Sequence, residues 1–249
     1  MAEIIKKICG VIEGLIVTVI GLYMGLLVLF GDYWRFLNPK FKWLTGATAV
    51  ILIVIGSVAT IVPNKRPSYS RIIVFLLFVR ILSVGNLEIS LTPRIHSDTG
   101  ASRLTVDGAE YIKINLAELY MLTEKKEPNK MDTHYVVRGM VKRSRALDDL
   151  GQFALVRNAV FCCLADSVAM GFRVLYDGSE ELADGQWVEV YATLSALTQG
   201  LPDPEFQSEG LHLTLLSESY GLTPSKIVSI EEPEIPFMFD FKEQEPYAY

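Results

Sequence analysis

The sequence predicts a membrane-attached α + β protein, in which two to three apolar N-terminal helices precede a small OB-like β-barrel. Long apolar segments occur only in about the first third of the 249 residues, and short β-rich segments between turn residues fill the rest. The charge follows the same division. Residues 1–86 carry nine Lys/Arg and three Asp/Glu, a net charge of +6, whereas residues 87–249 carry a net charge of −12. This asymmetry argues against a single water-soluble globule.

Residues 8–31 form the first apolar segment, with Glu13 as its one charged residue. As a helix this segment would be roughly 36 Å long at about 1.5 Å per residue, which exceeds the roughly 30 Å of a hydrocarbon core. A signal peptide also begins with basic residues, here Lys6 and Lys7, but its apolar part has only about 7–15 residues. We therefore expect a membrane helix rather than a cleaved leader.

Residues 44–62 form the second apolar segment, which carries no charge and is followed by Pro63. Tyr33, Trp34 and Trp43 flank the short connection between the two segments, and aromatic side chains favour the membrane–water interface. This segment therefore predicts a second membrane helix.

Residues 70–88 are a candidate for a third span, although Arg80 interrupts them. The alternative is a helix that lies in the interface, where the long cationic side chain reaches water. If the segment spans the membrane, Arg80 can pair with Glu13 inside it, because each charge alone is costly in lipid. Otherwise Glu13 lies near the headgroups.

One face of the first predicted helix carries only small residues, at spacings of four, four, three and four: Gly10, Gly14, Thr18, Gly21 and Gly25. Small residues in such a row let a second helix approach closely, and the close van der Waals contact replaces the hydrophobic drive that lipid does not supply. We expect this face to pack against the second helix or against another protein.

The charges of the loops are nearly balanced across the membrane. With three spans and a cytoplasmic N-terminus, five Lys/Arg face the cytoplasm and four lie opposite. We expect a multi-pass plasma-membrane protein with an extracytoplasmic C-terminal domain. Two spans instead of three would reverse the position of that domain relative to the N-terminus.

Residues 87–109 are rich in turn and polar residues, which is typical of a linker. Residues 110–249 then predict a β domain. Asn115, with Glu118 three residues later, has the pattern of a helix cap and predicts a short helix through Leu122. Gly139, inside a strand pattern, predicts a bulge.

The predicted strands of this domain cover residues 111–114, 135–141, 153–163, 171–176, 187–194, 211–216 and 227–230. A helix is predicted between residues 164 and 170. Many short strands between turn signals favour a small barrel or sandwich, and the intervening helix fits an OB-like Greek-key barrel.

Cys162, Cys163 and Asp166 are the candidate metal ligands of the sequence. Thiolates suit zinc or copper(I), and a carboxylate adds an oxygen ligand. Neighbouring residues of a strand point to opposite faces, so both cysteines reach one site only if the chain bends there. The alternative is a buried core strand, since cysteine is among the most buried residues. His134 and His212 are further candidates that no spacing connects to the cysteines.

The sequence has none of the common catalytic or nucleotide-binding motifs. The sequence has no P-loop, no paired-glycine dinucleotide motif, no HExxH and no GxSxG, and its three histidines are scattered. We therefore expect no enzymatic activity and, apart from a metal ion, no cofactor. The acidic β domain argues against nucleic-acid binding, because phosphate contacts need Lys and Arg.

Three stretches resemble one membrane family, in the order in which that family has them. They are residues 36–41 (FLNPKF), residues 153–166 (FALVRNAVFCCLAD) and the segments 185–190 (GQWVEV) to 232–237 (EPEIPF). In these stretches the chain is similar to the bacterial permease subunits of the YcgQ type, whose core motif is CC-ADA. The resemblance implies a multi-pass subunit that works with a larger permease.

That family also has a histidine-rich stretch before the third span, which implies metal handling. Here residues 62–68 contain no histidine, Asn38 stands where the family has histidine, and Ser167 replaces the last alanine of the core motif.

We therefore hypothesise a membrane-anchored, non-catalytic permease subunit. Its helices dock a polytopic partner within the lipid bilayer, and its β domain gates or delivers a small solute. One alternative is a thiol-dependent metal-binding or redox protein tethered to the membrane. The other is a tethered module that binds a peptide, sugar or protein, since OB-like folds host many ligands.

Overall fold

A computed structural model of the chain describes residues 2–30, 32–62, 102–125, 130–176, 182–198 and 213–249. The chain divides into two compact units, Met1–His96 and Ser97–Tyr249. The predicted third span at 70–88 lies outside the described residues. The predicted pair of Glu13 with Arg80 therefore stays a prediction.

In the residues that the structure describes, the N-terminal unit is a pair of antiparallel helices, α1 (Ala2–Phe30) and α2 (Lys42–Ile61), which cover the first two predicted apolar helices. Two short 3-10 helices, Asp32–Arg35 and Pro39–Phe41, connect them. The hydroxyl groups of Tyr33 and Thr45 lie 2.7 Å apart in a buried hydrogen bond. This contact links the connection to the start of α2.

Glycine and threonine form a reciprocal contact where α1 and α2 approach most closely. A Cβ atom on Gly14 would lie 2.5 Å from the backbone nitrogen of Thr60, and one on Gly56 would lie 2.5 Å from that of Thr18. The two threonine hydroxyls donate to the carbonyl oxygens of Gly14 and Gly56 in their own helices, at 3.0 and 2.8 Å. Only glycine allows the two backbones to come this close.

The rest of the predicted small-residue face also turns towards α2 or into the interior. A Cβ atom on Gly21 would lie 2.9 Å from the carbonyl oxygen of Ala49, one on Gly25 would lie 3.9 Å from the Cβ of Ala49, and Gly10 is buried. Of the two partners expected for this face, the structure identifies the second helix.

The described part of the C-terminal unit has seven strands, and five of them close into a barrel. The strands are β1 (Arg103–Val106), β2 (Ala109–Lys113), β3 (His134–Lys142), β4 (Gln152–Ala159), β5 (Val168–Leu175), β6 (Trp187–Ala196) and β7 (Leu213–Ser229). The order around the barrel is β3-β4-β5-β7-β6, and β6 pairs again with β3. All barrel neighbours are antiparallel except β5 and β7. This is the predicted OB-like arrangement.

A hairpin and a helix precede the barrel. β1 and β2 are antiparallel, and β2 runs parallel to the first residues of β3. The helix α3 (Leu116–Glu124) begins at the predicted capping box, in which Asn115 and Glu118 each accept the backbone N–H of the other. Three leucines of α3 pack into the barrel core: Leu116, Leu119 and Leu122. β1 and its turn occupy residues 103–108, so this unit begins inside the predicted linker.

Gly139 is not at a bulge, because β3 and β6 pair continuously from His134 to Met140. Its role is steric. A Cβ atom at Gly139 would lie 2.9 Å from Cγ of Leu155 and 3.0 Å from Cδ1 of Leu116. The glycine therefore makes room for α3 against the strands.

The predicted strands at 211–216 and 227–230 belong, in their described part, to the single 17-residue strand β7. Its first half pairs with β5 and its second half with β6, with a shift of register in each pairing. The strand bends between its two partners, and at the bend a Cβ atom on Gly221 would lie 3.0 Å from the carbonyl oxygen of Arg173. The turn residues of this segment mark a bend and not a strand end.

The C-terminal segment 230–249 packs along the barrel and is held by a buried carboxylate. Glu118 is 1% exposed and accepts the backbone N–H groups of Lys242 at 2.7 Å and Ala248 at 2.9 Å. Burial raises the pKa of Glu118, and the N–H groups that it accepts partly offset this. One side chain thus caps α3 and fixes the end of the chain.

Gly56→Ala tests the close helix contact. We expect it to destabilise the helix pair by about 1–3 kcal/mol through overpacking, even though alanine in a helix is otherwise favoured over glycine by about 0.5–1 kcal/mol. Gly25→Ala is the matched control, because its new Cβ would meet only an ordinary contact at 3.9 Å. The measurement is loss of helical circular dichroism of the full chain in micelles during an SDS titration. Equal midpoints for the two variants would contradict the close approach at Gly56.

Candidate functional site

The candidate site is the loop between β4 and β5. The sequence predicts that β4 continues to Cys163, but the strand ends at Ala159. There the backbone pairs instead with the C-terminal segment, since Val160 N–H donates to the carbonyl oxygen of Met238 at 2.9 Å. Residues 161–167 therefore leave the sheet as a tight loop, and the predicted helix at 164–170 is reduced to the 3-10 turn Leu164–Asp166.

Asp166 closes this loop on the two cysteines. Its carboxylate oxygens accept the backbone N–H of Cys162 at 2.8 Å and that of Cys163 at 3.1 Å. The chain bends between the cysteines as a result, and their Sγ atoms lie 3.6 Å apart. The two sulfur atoms and a carboxylate oxygen all lie within 4.8 Å of one another. The bend that the sequence requires for a shared site is present.

The cysteines are not core residues. Cys162 is exposed and Cys163 is half-buried, so the interpretation of this segment as a buried core strand is wrong. Their neighbours Phe161 and Leu164 are 45% and 39% exposed, and Phe161 stacks on Phe241 with ring centroids 4.9 Å apart. The thiol groups therefore lie at an accessible tip with an apolar rim.

The negative charge of Asp166 keeps the Cys162 thiol protonated. A hydrogen bond to Asp166 and another to Cys163 raise the pKa of Cys162 to about 11. For Asp166, burial would raise the pKa, but hydrogen bonds from the Cys162 thiol and from nearby N–H groups hold it below the usual range. Because the thiolate is the nucleophile and the metal ligand, Cys162 of the free loop is a weak nucleophile at neutral pH.

Within the described parts of the chain, no other cluster combines three metal-ligating groups. His134 lies at the start of β3, with its ring centroid 5.3 Å from that of Tyr111. It lines an open depression of about 380 Å³ together with Arg103, Glu110 and Asp132. His96 and His212 lie outside the described residues.

Two polar clusters that no sequence pattern indicates hold the C-terminal segment. The buried guanidinium of Arg157 donates to the carbonyl oxygens of Ile235 and Pro236, and burial lowers its pKa to about 10.

In the second cluster, the carboxylate of Glu189 accepts hydrogen bonds from Nε of Arg138 at 2.9 Å and from the hydroxyl of Tyr249 at 2.5 Å. Burial would raise the pKa of Glu189, but hydrogen bonds from Tyr191, Tyr249 and Arg138 hold it below the usual range. Both clusters support the fold, and only the tertiary structure reveals their partners.

Asp166 also has a role beyond that of the metal ligand expected from its residue type. In the structure its carboxylate shapes the loop. The signal was present in its position three residues after Cys163, which is the spacing of a capping box.

Residues 90–208 match the protein family described as the DUF1980 C-terminal domain. The match covers just under half of the chain and includes the cysteine loop. No curated protein matches the chain. A solved structure described as an aspartyl-tRNA synthetase from Leishmania major Friedlin is 17% identical over 63% of this chain, with a TM-score of 0.28. The chain spans only 25% of that protein, and a likeness at this level assigns neither a fold nor an activity.

The pH dependence of alkylation tests the electrostatics of the loop. In a Cys9→Ser, Cys163→Ser background, we expect alkylation of Cys162 to speed up about tenfold per pH unit below its raised pKa, because only the thiolate reacts. Adding Asp166→Asn removes the adjacent charge, lowers the pKa of Cys162, and should raise the rate at about pH 8 by about tenfold or more. The matched control is Glu110→Gln, since Glu110 bonds Arg103 and not the loop. Equal rates with and without Asp166→Asn would contradict this account.

Proposed function

We propose that the chain is a membrane-anchored, non-catalytic subunit of a permease complex. Its N-terminal helices dock a polytopic partner in the plasma membrane, and its extracytoplasmic β domain gates or delivers a small solute. The observation that carries the proposal is the outward apolar surface of the helix pair, together with the accessible thiol loop of the β domain.

The outer faces of α1 and α2 have the chemistry of lipid-facing helices. The segments Ile8–Phe30 and Pro39–Ile61 are each 23 residues long, and in an apolar 18-residue stretch of each only 11% of the residues are buried. A core helix of a soluble protein would bury its large apolar residues, whereas here many of them are exposed: Ile8, Ile12, Leu15, Val19, Leu22, Leu26 and Leu29 of α1, and Leu44, Val50, Ile51, Val54, Ile55, Val58 and Ile61 of α2. An apolar surface of this extent is covered by lipid or by another protein.

The small-residue face cannot hold the partner, because α2 already occupies it at Gly14 and Gly21. The polytopic partner must therefore pack against the outer Leu, Ile and Val side chains. Trp43 is 89% exposed, and the Arg35 guanidinium lies 5.5 Å from the Trp34 ring in the short connection between the helices. Aromatic and cationic side chains at one end of a helix pair suit the headgroup region.

A second candidate is the thiol-dependent metal-binding or redox protein tethered to the membrane. The assembly of Cys162, Cys163 and Asp166 within 4.8 Å favours it. The two candidates are compatible if the solute that the β domain delivers is itself bound by this loop.

A charge placed on the outer face of α1 distinguishes a membrane helix from a water-exposed one. Leu22 is 49% exposed, and we expect Leu22→Arg to weaken retention in membranes washed with alkaline carbonate, because a central arginine costs about 2.5–3.5 kcal/mol in a bilayer. The matched control is Leu215→Arg on β7, where the leucine is 36% exposed and arginine would face water. If α1 lay in water, Leu22→Arg would leave retention in the membrane fraction unchanged, as the control does. Recovery of the full-length parent protein in the soluble fraction without detergent would exclude the anchor.

Photocrosslinking tests the partner. A photoreactive residue at Leu15 or at Leu26, on the exposed face of α1, is expected to form an adduct with a polytopic membrane protein. The same residue at Ile53, which contacts Gly21 across the helix pair, should report only the contact within the chain. Adducts confined to lipid or to a second copy of this chain would argue against a permease subunit.

A further inference from the structure

We propose that the solute is a zinc-like divalent metal ion, Zn²⁺ or Cd²⁺, held by the thiolates of Cys162 and Cys163 and the carboxylate of Asp166, with one coordination position left open. This inference rests on the proposed function, because it names the solute that the β domain delivers. It goes beyond the sequence, which left zinc, copper(I) and a buried core strand as alternatives.

The distance between the sulfur atoms selects the geometry of the ion. With the Sγ atoms 3.6 Å apart and a metal–sulfur bond of about 2.3 Å, the angle between the two bonds is about 103°, close to the tetrahedral value of about 109°. A two-coordinate linear ion would need its two sulfur atoms about 4.6 Å apart, on the same bond length. The loop as it stands therefore fits a tetrahedral ion and not linear copper(I).

Asp166 is arranged to serve as the third ligand. Each of its oxygens accepts one backbone N–H, from Cys162 or Cys163, and an ionised carboxylate oxygen keeps further acceptor capacity. These N–H bonds fix the orientation of the carboxylate, as outer-shell hydrogen bonds do in metal sites. The negative charge of the carboxylate attracts the cation.

The described residues supply three ligands to this cluster and no fourth. Structural zinc sites have four protein ligands, whereas sites that exchange a ligand keep one position open. Because Cys162 is exposed, a ligand from a partner can enter the open position before a thiolate leaves. This is the arrangement of a handover site, and the exposed Phe161 and Leu164 surround it with a surface that a partner can cover.

Binding involves no redox change. Two metal–sulfur bonds and one metal–oxygen bond form, two S–H bonds break, and the two protons pass to the solvent. The ion stays divalent throughout, and no oxidant or reductant is consumed.

The test is a titration of the full-length chain in detergent, under reducing and oxygen-free conditions. Co²⁺ and Cd²⁺ are the spectroscopic probes because their thiolate bonds absorb, and Zn²⁺ is measured by its displacement of bound Co²⁺. We expect one ion per chain with two thiolate bonds. Cys9→Ser is the matched control, since it removes a cysteine outside the loop, and it should leave binding unchanged.

Cys162→Ser and Cys163→Ser should each weaken binding by more than about 100-fold, which is beyond the loss of an outer-shell partner, and Asp166→Asn by at least about tenfold. Glu110→Gln should change nothing. Protection from alkylation gives a measurement that needs no variant: Zn²⁺ should protect Cys162 and Cys163, while Cys9 in the same chain serves as the reference.

Absence of thiolate absorption, or equal binding by the parent and a Cys162→Ser, Cys163→Ser double variant, would overturn the metal inference. So would a loop isolated as a Cys162–Cys163 disulfide that gains no metal affinity on reduction. If these results occur while Leu15 or Leu26 still crosslinks a polytopic protein, the metal inference fails and the proposed subunit stands. If the crosslinks are absent while metal binding is intact, the proposed subunit fails and the metal site stands.

Discussion

The pairing of β6 with β3 is the constraint on which the C-terminal unit depends. It closes the sheet over the register from His134 to Met140 and so removes the free edges that an open sheet would present. On its β3 side, β4 is paired only from Ala154 to Val156, so the end of β4 has no barrel strand there, and the segment around Met238 takes that place. The loop that follows leaves the barrel between two fixed strands, which is why a short acidic turn is enough to shape it.

Two carboxylates in this unit accept backbone N–H groups, and the result differs because one carboxylate is buried and the other lies beside an exposed thiol. Glu118 and Asp166 each accept two or more backbone N–H groups, a strong use of a charged acceptor. Glu118 is buried, so its bonds fix the C-terminal segment and leave nothing for a ligand. Asp166 lies beside an exposed thiol, so its bonds shape a site that remains open to solvent and to a cation.

The helix pair follows a different rule, because its packing does not depend on hiding large apolar side chains. Backbone contact at Gly14 and Gly56 brings α1 and α2 together, and many of the leucine and isoleucine side chains are left on the outside. In water this arrangement would be unstable, whereas in lipid the outer side chains are solvated and close contact between small residues supplies the stability. This packing supports the proposed membrane anchor.

The sequence by itself determined the elements whose signals are local: two apolar helices, the capping box of Asn115 and Glu118, the strand-rich OB-like domain, and the small-residue face of α1. It did not determine that Gly139 makes room for Leu116, that β7 bends as one strand, or that β4 stops before the cysteines. Each of these depends on a partner that is distant in the chain: α3 for Gly139, two different strands for β7, and Met238 for the end of β4. The position of Cys162 and Cys163 also depends on distant partners. Whether they lie in a core strand or in an open loop depends on where strand pairing ends, and only the closed barrel sets that point.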